Sequence, residues 1–254
     1  MTTITRLDCG RLTGDLAMFE SGAAGSVTLP VSAWLLRHPK GTVLFDTGMP
    51  ASFIDGSDRT RRIEAFLAID LGDGERVDAQ LEGHDQDPGR VDFVVVSHLH
   101  FDHVGGLALI PNATLVIQRR EWEAGLAAAA GDTLHPREDF DLGHPLLRVD
   151  GEHDLFGDGA VVCMPTPGHT AGHQSLRVRL ADGREAVLCA DCCYFARTLD
   201  SGVLPTFGHD LEDQSRSLER LRRLRDGGAT IIPGHDIDWV GRMPRTIGRA
   251  RTNR

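Results

Sequence analysis

The chain has 254 residues, a formal net charge of −10 and 41% hydrophobic residues. That is enough for a sizeable core in one large domain or two small ones, and the acidic balance argues against nucleic acid, whose phosphates need a basic face. No apolar run reaches the ~20 residues of a membrane span, and residues 1–8 lack the apolar stretch of a signal peptide. Five cysteines without regular spacing suit reduced thiols in a cytoplasm.

From Ile4 to Leu36 the pattern is strand-like and broken by Gly, with Val31–Leu36 its clearest strand. Thr42–Phe45 follows the turn His38-Pro39-Lys40-Gly41, which predicts an early hairpin of a mixed sheet. Pro50 to Asp70 is the least regular stretch; its large apolar residues, among them Phe53, Phe66 and Leu67, must cap the core or wall a pocket. Arg76–Leu81 reads as a short helix feeding a β-branched strand at Val91–Val96. Val104–Ile110 is expected to be a helix stopped by Pro111, Thr114–Ile117 a strand, and Arg119–Ala130 an Ala-rich helix. The polar loop Gly131–His144 holds His135 and His144, which read as surface histidines.

Strands are expected at Leu146–Val149, Ala160–Met164, Gln174–Leu180 and Glu185–Ala190, the last two joined by the hairpin turn Ala181-Asp182-Gly183. Asp210 caps a helix running to about Asp226, with Leu211, Leu218, Leu221 and Leu224 on one face. Ala229–Ile232 is the last strand, and residues 242–254 read as a frayed basic tail ending in Arg249, Arg251 and Arg254. No linker interrupts the pattern, which predicts a single domain over residues 1–254.

The chemistry concentrates after the Val91–Val96 strand, in Ser97-His98-Leu99-His100-Phe101-Asp102-His103-Val104-Gly105-Gly106. His98 and His100 are two apart and can point the same way, while Asp102 and His103 sit past the bend and face a second point. That spacing suits two adjacent divalent ions, because imidazole and carboxylate are the ligands such metals accept. A lone loop histidine would carry no such weight. Two further strand-end loops, Pro165-Thr166-Pro167-Gly168-His169 and Pro233-Gly234-His235, each present a histidine on a turn that Pro and Gly stiffen and bend.

His98-x-His100-x-Asp102-His103 resembles the signature of the metallo-β-lactamase superfamily, and the resemblance covers nearly the whole chain. It implies an αββα four-layer sandwich and a site completed by His169, a bridging Asp191 and His235. One ion would then take His98, His100 and His169, and the other Asp102, His103 and His235. Zinc is expected, and manganese, iron or cobalt would also fit. Two close ions lower the pKa of a shared water, so that hydroxide exists at neutral pH. The same resemblance gives Asp46, at the end of the Thr42–Phe45 strand, the task of orienting a ligand histidine, while its position alone also fits a turn aspartate capping its own loop.

Within the superfamily, four stretches look like N-acyl-homoserine lactonases and related γ-butyrolactonases: Ser97–His103, Gln118–Trp122, Pro167–Ser175 and Asp191-Cys192-Cys193-Tyr194. Class B β-lactamases have Cys where Asp191 stands, flavodiiron proteins carry a Glu ligand and a flavin domain, and glyoxalase II continues into a long helical part; the tRNA-processing branch needs an RNA-binding surface. The implied reaction is opening of the lactone ring of N-acyl-homoserine lactones by the metal-bridging hydroxide, which is quorum quenching. Tyr194, the sole tyrosine, would hydrogen-bond the lactone, Phe101 would give an apolar contact, and Asp102 would also pass a proton to the leaving alkoxide. The alternatives are another ester, thioester or organophosphate hydrolase on the same metals, or a metal-stabilised binding protein. The expected partner is a small lactone, with no nucleic acid, no membrane and a homodimer left open.

Cys192 and Cys193 depart from the family pattern. Strand neighbours face opposite sides, so at most one could approach the metals, and small buried hydrophobes are their expected role. His173 reads as structural or supporting, and His209 as an ordinary loop residue.

Overall fold

The computed structural model describes residues 2–129 and 131–248. Its strands are β1 (Thr3–Asp15), β2 (Ser26–His38), β3 (Gly41–Phe45), β4 (Ala68–Asp70), β5 (Phe93–Val95), β6 (Thr114–Gln118), β7 (Leu146–Val149), β8 (His153–Asp154), β9 (Val161–Pro165), β10 (Gln174–Arg179), β11 (Glu185–Leu188), β12 (Thr230–Ile232) and β13 (Thr246–Ile247). Its helices are α1 (Leu16–Phe19), α2 (Asp58–Glu64), α3 (Val77–Glu82), α4 (Phe101–Val104), α5 (Arg119–Ala127), α6 (Arg137–Phe140), α7 (Thr198–Ser201), α8 (Leu211–Asp226) and α9 (Ile237–Arg242). Among the described residues the strands form two sheets. One runs β13-β1-β2-β3-β5-β6-β7 with β4 also paired to β1, and the other runs β12-β11-β10-β9-β8.

The apolar runs dictate the layering. In β3, β5 and β6, which pair in parallel, nearly every residue is apolar, so both faces of the sheet are buried. Val43, Phe45, Val95 and Val116 share one core with Cys163, Leu176 and Leu188 of the second sheet. Their strand neighbours Leu44, Val94 and Leu115 turn the other way and pack with Val77, Leu81 and Leu107 of the outer layer. Beyond the second sheet, Val187 and Ile231 bury against Leu218 and Leu221 of α8. The result is the four-layer αββα sandwich, with its third core between the second sheet and α8.

Several elements differ from the sequence expectation. The expected helix over Val104–Ile110 instead begins at Phe101, and a single 3-10 turn covers Leu107–Leu109. Gly105 and Gly106 end it, because the chain there lies directly on Pro50 and Thr47: a Cβ on Gly106 would sit 2.2 Å from the Thr47 carbonyl oxygen. The irregular stretch 50–70 contains α2, capped by the Ser57 hydroxyl, and β4, which pairs with β1. The loop 131–144 contains α6. Leu211 is exposed at the first position of α8, whereas Leu218 and Leu221 are buried.

The tail is not frayed from residue 242. Thr246 and Ile247 add β13 to the edge of β1, where the Thr5 and Thr246 hydroxyls lie 3.0 Å apart and Arg6 N–H donates to the Arg245 carbonyl. Edge pairing satisfies backbone groups that a loose tail would leave to water. Arg249, Arg251 and Arg254 of the expected tail, and Ala130 of the expected helix, lie outside the described residues.

The loops after β3, β5, β9, β11 and β12 gather at one edge of the sandwich. Open α/β sheets place their sites beyond the carboxyl ends of parallel strands, which is where β3, β5 and β6 in one sheet and β11 and β12 in the other end.

Candidate metal centre

After β5 the backbone bends at Ser97, is extended at His100 (φ −71°, ψ 149°) and then enters α4. His98 and His100 therefore project from the stretch before α4, and Asp102 and His103 from the first turn of a helix. The turn before His169 depends on Gly168, whose φ is +132° and whose Cβ would lie 2.1 Å from the backbone nitrogen of Gln214. Only glycine fits between this loop and the start of α8.

These loops bring all seven predicted ligands together in two neighbouring clusters. His98, His100, His169 and Asp191 each offer one atom within 4.8 Å of the others, and so do Asp102, His103 and His235. His169 Nε2 lies 3.2 Å from His98 Nε2 and 3.0 Å from His100 Nδ1. Asp191 stands between the clusters. Its Oδ2 is 3.3 Å from His169 Nε2, while its Oδ1 is 3.0 Å from His103 Nε2 and 2.9 Å from His235 Nε2. Asp102 Oδ2 completes the second group, 3.5 Å from His103 Nε2.

The donor set fits two divalent ions. His103 Nε2 is buried and has no aligned hydrogen-bond partner, although Asp191 is close. Imidazole nitrogens that crowd one another around a shared carboxylate are arranged for a cation, not for one another.

Buried groups hold the ligand loops in place. Asp46, a non-glycine residue at φ +59°, accepts the Ser97 N–H at 2.7 Å and the Ser97 hydroxyl at 2.8 Å. Its Oδ2 also accepts from His103 Nδ1 at 2.9 Å, which leaves Nε2 as the donor atom facing the cluster. His235 Nδ1 donates to the Pro30 carbonyl at 3.0 Å and is fixed the same way. Glu121 ties two loops, accepting the Leu99 N–H at 3.1 Å and the Gly172 N–H at 2.8 Å. His173 belongs to neither cluster; its Nδ1 meets the Thr166 hydroxyl at 2.9 Å.

The electrostatics of the two clusters differ. Burial, reinforced by neighbouring imidazoles, holds His98 and His100 well below the usual histidine range, and burial pushes His169 down to about 4. Burial also opposes charge on His103, but Asp191, Asp102 and Asp46 outweigh it and hold that imidazole well above the usual range. Burial raises the Asp102 carboxyl despite His103 and His235. Burial and then the Asp191 carboxylate raise the Tyr194 phenol well above its ordinary value, so it stays protonated.

Tyr194 is buried with its ring stacked on His235 at 5.4 Å, and Phe101 packs on Phe53 at 5.5 Å. Both line an apolar cavity of 330 Å³ that reaches His100, Asp102, Asp191 and His235. Cys192 and Cys193 occupy a 3-10 turn and its end, not a strand, so strand alternation does not govern them; both are buried with Met164 and Leu218. Among the described residues no cysteine joins either cluster. His209 is exposed, as expected. His135 is half-buried with its ring centroid 4.7 Å from that of His100, and Phe207 lies 5.8 Å from His169. Neither has a motif or spacing that marks it in the sequence.

A helix–sheet–sheet–helix sandwich with paired His/Asp clusters at its strand ends defines a class of metal-dependent hydrolases, and the family model described as the metallo-beta-lactamase superfamily matches residues 27–235. The chain is 34% identical over 231 residues to the N-acyl homoserine lactonase AttM of Azorhizobium caulinodans, which covers 86% of each chain. It is 29% identical over 217 residues to an N-acyl homoserine lactonase of Bacillus thuringiensis, with 84% of this chain and 83% of that one covered. A solved structure of an N-acyl homoserine lactone hydrolase, with N-hexanoyl-L-homoserine bound at its catalytic metal centre, superposes with a TM-score of 0.82 at 27% identity, covering 95% and 96% of the two chains. The chain belongs to the metallo-beta-lactamase superfamily and, within it, to the N-acyl homoserine lactonase family.

Proposed function

We propose that this chain opens the lactone ring of N-acyl-homoserine lactones, with Zn²⁺ as its metal, and that the reaction quenches quorum signals in the cytoplasm. The observation that carries the substrate class is the 330 Å³ apolar cavity opening directly onto the two clusters. An acyl chain needs apolar walls, and a lactone needs polar groups at their end. The relatives at 34% and 29% identity are named for this activity, and a structural neighbour holds the ring-opened product. These findings do not favour the other hydrolase readings.

His98, His100 and His169 would hold one ion and Asp102, His103 and His235 the other, with one Asp191 oxygen toward each. When bound, such a pair supplies a Lewis acid for the carbonyl oxygen and acidifies water for attack. The protein's own groups do the rest. Asp46 and the Pro30 carbonyl keep the His103 and His235 imidazoles oriented, and Glu121 ties the two loops that carry His98, His100 and His169. Tyr194, protonated at any working pH, donates to the carbonyl oxygen as negative charge develops there. Asp102 takes up the proton released by the attacking water and passes it to the ring oxygen as the ester C–O bond breaks, giving an alcohol and a carboxylic acid that ionises, with the acyl amide intact. Phe101 and the cavity walls exclude water from the acyl chain.

Mass spectrometry of hexanoyl-homoserine lactone after reaction should show the substrate plus one water. Free hexanoic acid with homoserine lactone would make the protein an acylase and sink this reading.

A further inference from the structure

Two segments contribute to the walls of the apolar cavity, and one largely buried ion pair joins them. Segment 51–67 supplies Phe66 and Leu67, and segment 131–140 supplies Leu134. Arg59 on α2 donates from both terminal nitrogens to Asp139 on α6, Nη1 to Oδ1 at 2.8 Å and Nη2 to Oδ2 at 2.5 Å. The two side chains are only 11% and 8% exposed. The guanidinium also lies over the Phe53 ring at 5.2 Å, and Phe53 in turn packs on Phe101. On the other side, Phe140 follows Asp139 into the core, edge-on to Trp122 at 5.4 Å.

We propose that Arg59 and Asp139 are positioning residues that set acyl-chain specificity by holding the two walls at a fixed separation. Neither residue belongs to a metal cluster or lines the cavity. Their effect runs through the walls they join. A bidentate pair fixes direction as well as distance, and a desolvated one leaves a costly unpaired charge when one partner is removed. Segment 51–67 has its own anchors in Phe53, Thr60 and Ile63, all buried. Loss of the pair should therefore loosen the walls without unfolding the domain. A long chain, which must contact both walls, would feel this, and a short one, held at the clusters, would not.

The proposal takes its substrate from the lactonase reading, but the ion pair can be tested apart from it. Asp139→Asn should raise KM for decanoyl-homoserine lactone about tenfold, leaving kcat and the constants for butanoyl-homoserine lactone and γ-butyrolactone within about twofold. If Asp139→Asn does not fold, Arg59→Lys carries the test, since it keeps the charge and loses the fork. Chymotrypsin should also cut after Phe66 faster in either variant than in wild type. Equal losses on all three substrates at unchanged metal content, or an unchanged KM for the long chain, would overturn the proposal. Should wild type open no lactone at all, the functional reading falls and the cutting rates decide alone: faster cutting supports the ion pair as a clamp, and equal rates overturn it.

Discussion

Asp46 reaches across from the end of β3 to place Oδ2 2.9 Å from Nδ1 of His103. The contact decides which imidazole nitrogen keeps its lone pair, because the nitrogen that donates to Asp46 cannot also hold a metal. Asp46 does this from a left-handed backbone conformation at φ +59°, which its other two bonds, to Ser97 N–H and Oγ, hold in place. Asp46→Ala should lower metal affinity by roughly 10–100-fold while leaving the other six donors in place. Competition with a chromophoric chelator measures it. Wild-type affinity in the variant would reduce Asp46 to a turn residue.

Glu121 makes a comparable link on the other cluster. Its two oxygens accept the N–H of Leu99, between ligands His98 and His100, and of Gly172, three residues after His169. Burial raises its carboxyl, and the Thr170 hydroxyl and these two N–H groups pull it back. Glu121→Gln keeps one acceptor oxygen and turns the other toward an N–H as a donor. The buried mismatch should cost about 1–3 kcal/mol. Urea unfolding of the metal-loaded protein would show a lower midpoint, and an unchanged midpoint would refute the argument.

The pH dependence follows from imidazoles that the fold keeps neutral. Burial holds His169 down to about 4 and His173 down to about 3, against an ordinary histidine value of 6.5. Below about 6.5 the unfolded chain binds protons that the folded chain refuses, so stability is intact above that pH and falls as the pH drops toward 4. Metal binding acts in the same direction, because each ion takes neutral imidazole, and His103, otherwise held protonated by its three carboxylates, must give up its proton. Urea midpoints of the metal-loaded protein should be level from pH 7.5 to 6.5 and fall steadily below, with metal released in parallel. A midpoint unchanged at pH 5 would contradict this.

Six of the seven proposed ligands were legible because they sit in loops after apolar strands that nearby Pro or Gly bends; Asp191, in Ala190-Asp191-Cys192, has no such neighbour and was readable only through the family resemblance. His98 to His103, Pro167-Gly168-His169 and Pro233-Gly234-His235 all carry that mark. The near-continuous apolar runs of β3, β5 and β6 likewise made the buried sheet readable. What escaped was set by distant chain. Helix α4 stops at Gly105 because Pro50 and Thr47 lie against it. Helix α2 did announce itself through Ser57, a cap that the surrounding Gly and charge obscured. His135 beside His100, and Arg59 on Asp139 80 residues away, have no local signature at all.

The last prediction separates the two groups that work beside the metals. Tyr194 stacks on His235 and keeps its proton because burial and the Asp191 carboxylate both oppose ionisation, so its O–H is available to donate to a developing oxyanion. Losing one such donor commonly costs about 10²–10³-fold where it acts alone. Here a metal would share the carbonyl oxygen, so Tyr194→Phe should lower kcat/KM by only about tenfold. Asp102 has a different task. Its Oδ2 faces His103 and His235 within the second cluster, and burial raises its carboxyl, which eases its taking up and releasing a proton. Asp102→Asn should keep at least one ion yet lose most turnover with alkyl lactones, whose alkoxide must be protonated to leave. An aryl ester with an acidic leaving group needs no such proton and should suffer far less. Side-by-side kinetics on hexanoyl-homoserine lactone and a nitrophenyl ester read the difference. Equal losses on both would leave Asp102 a ligand alone.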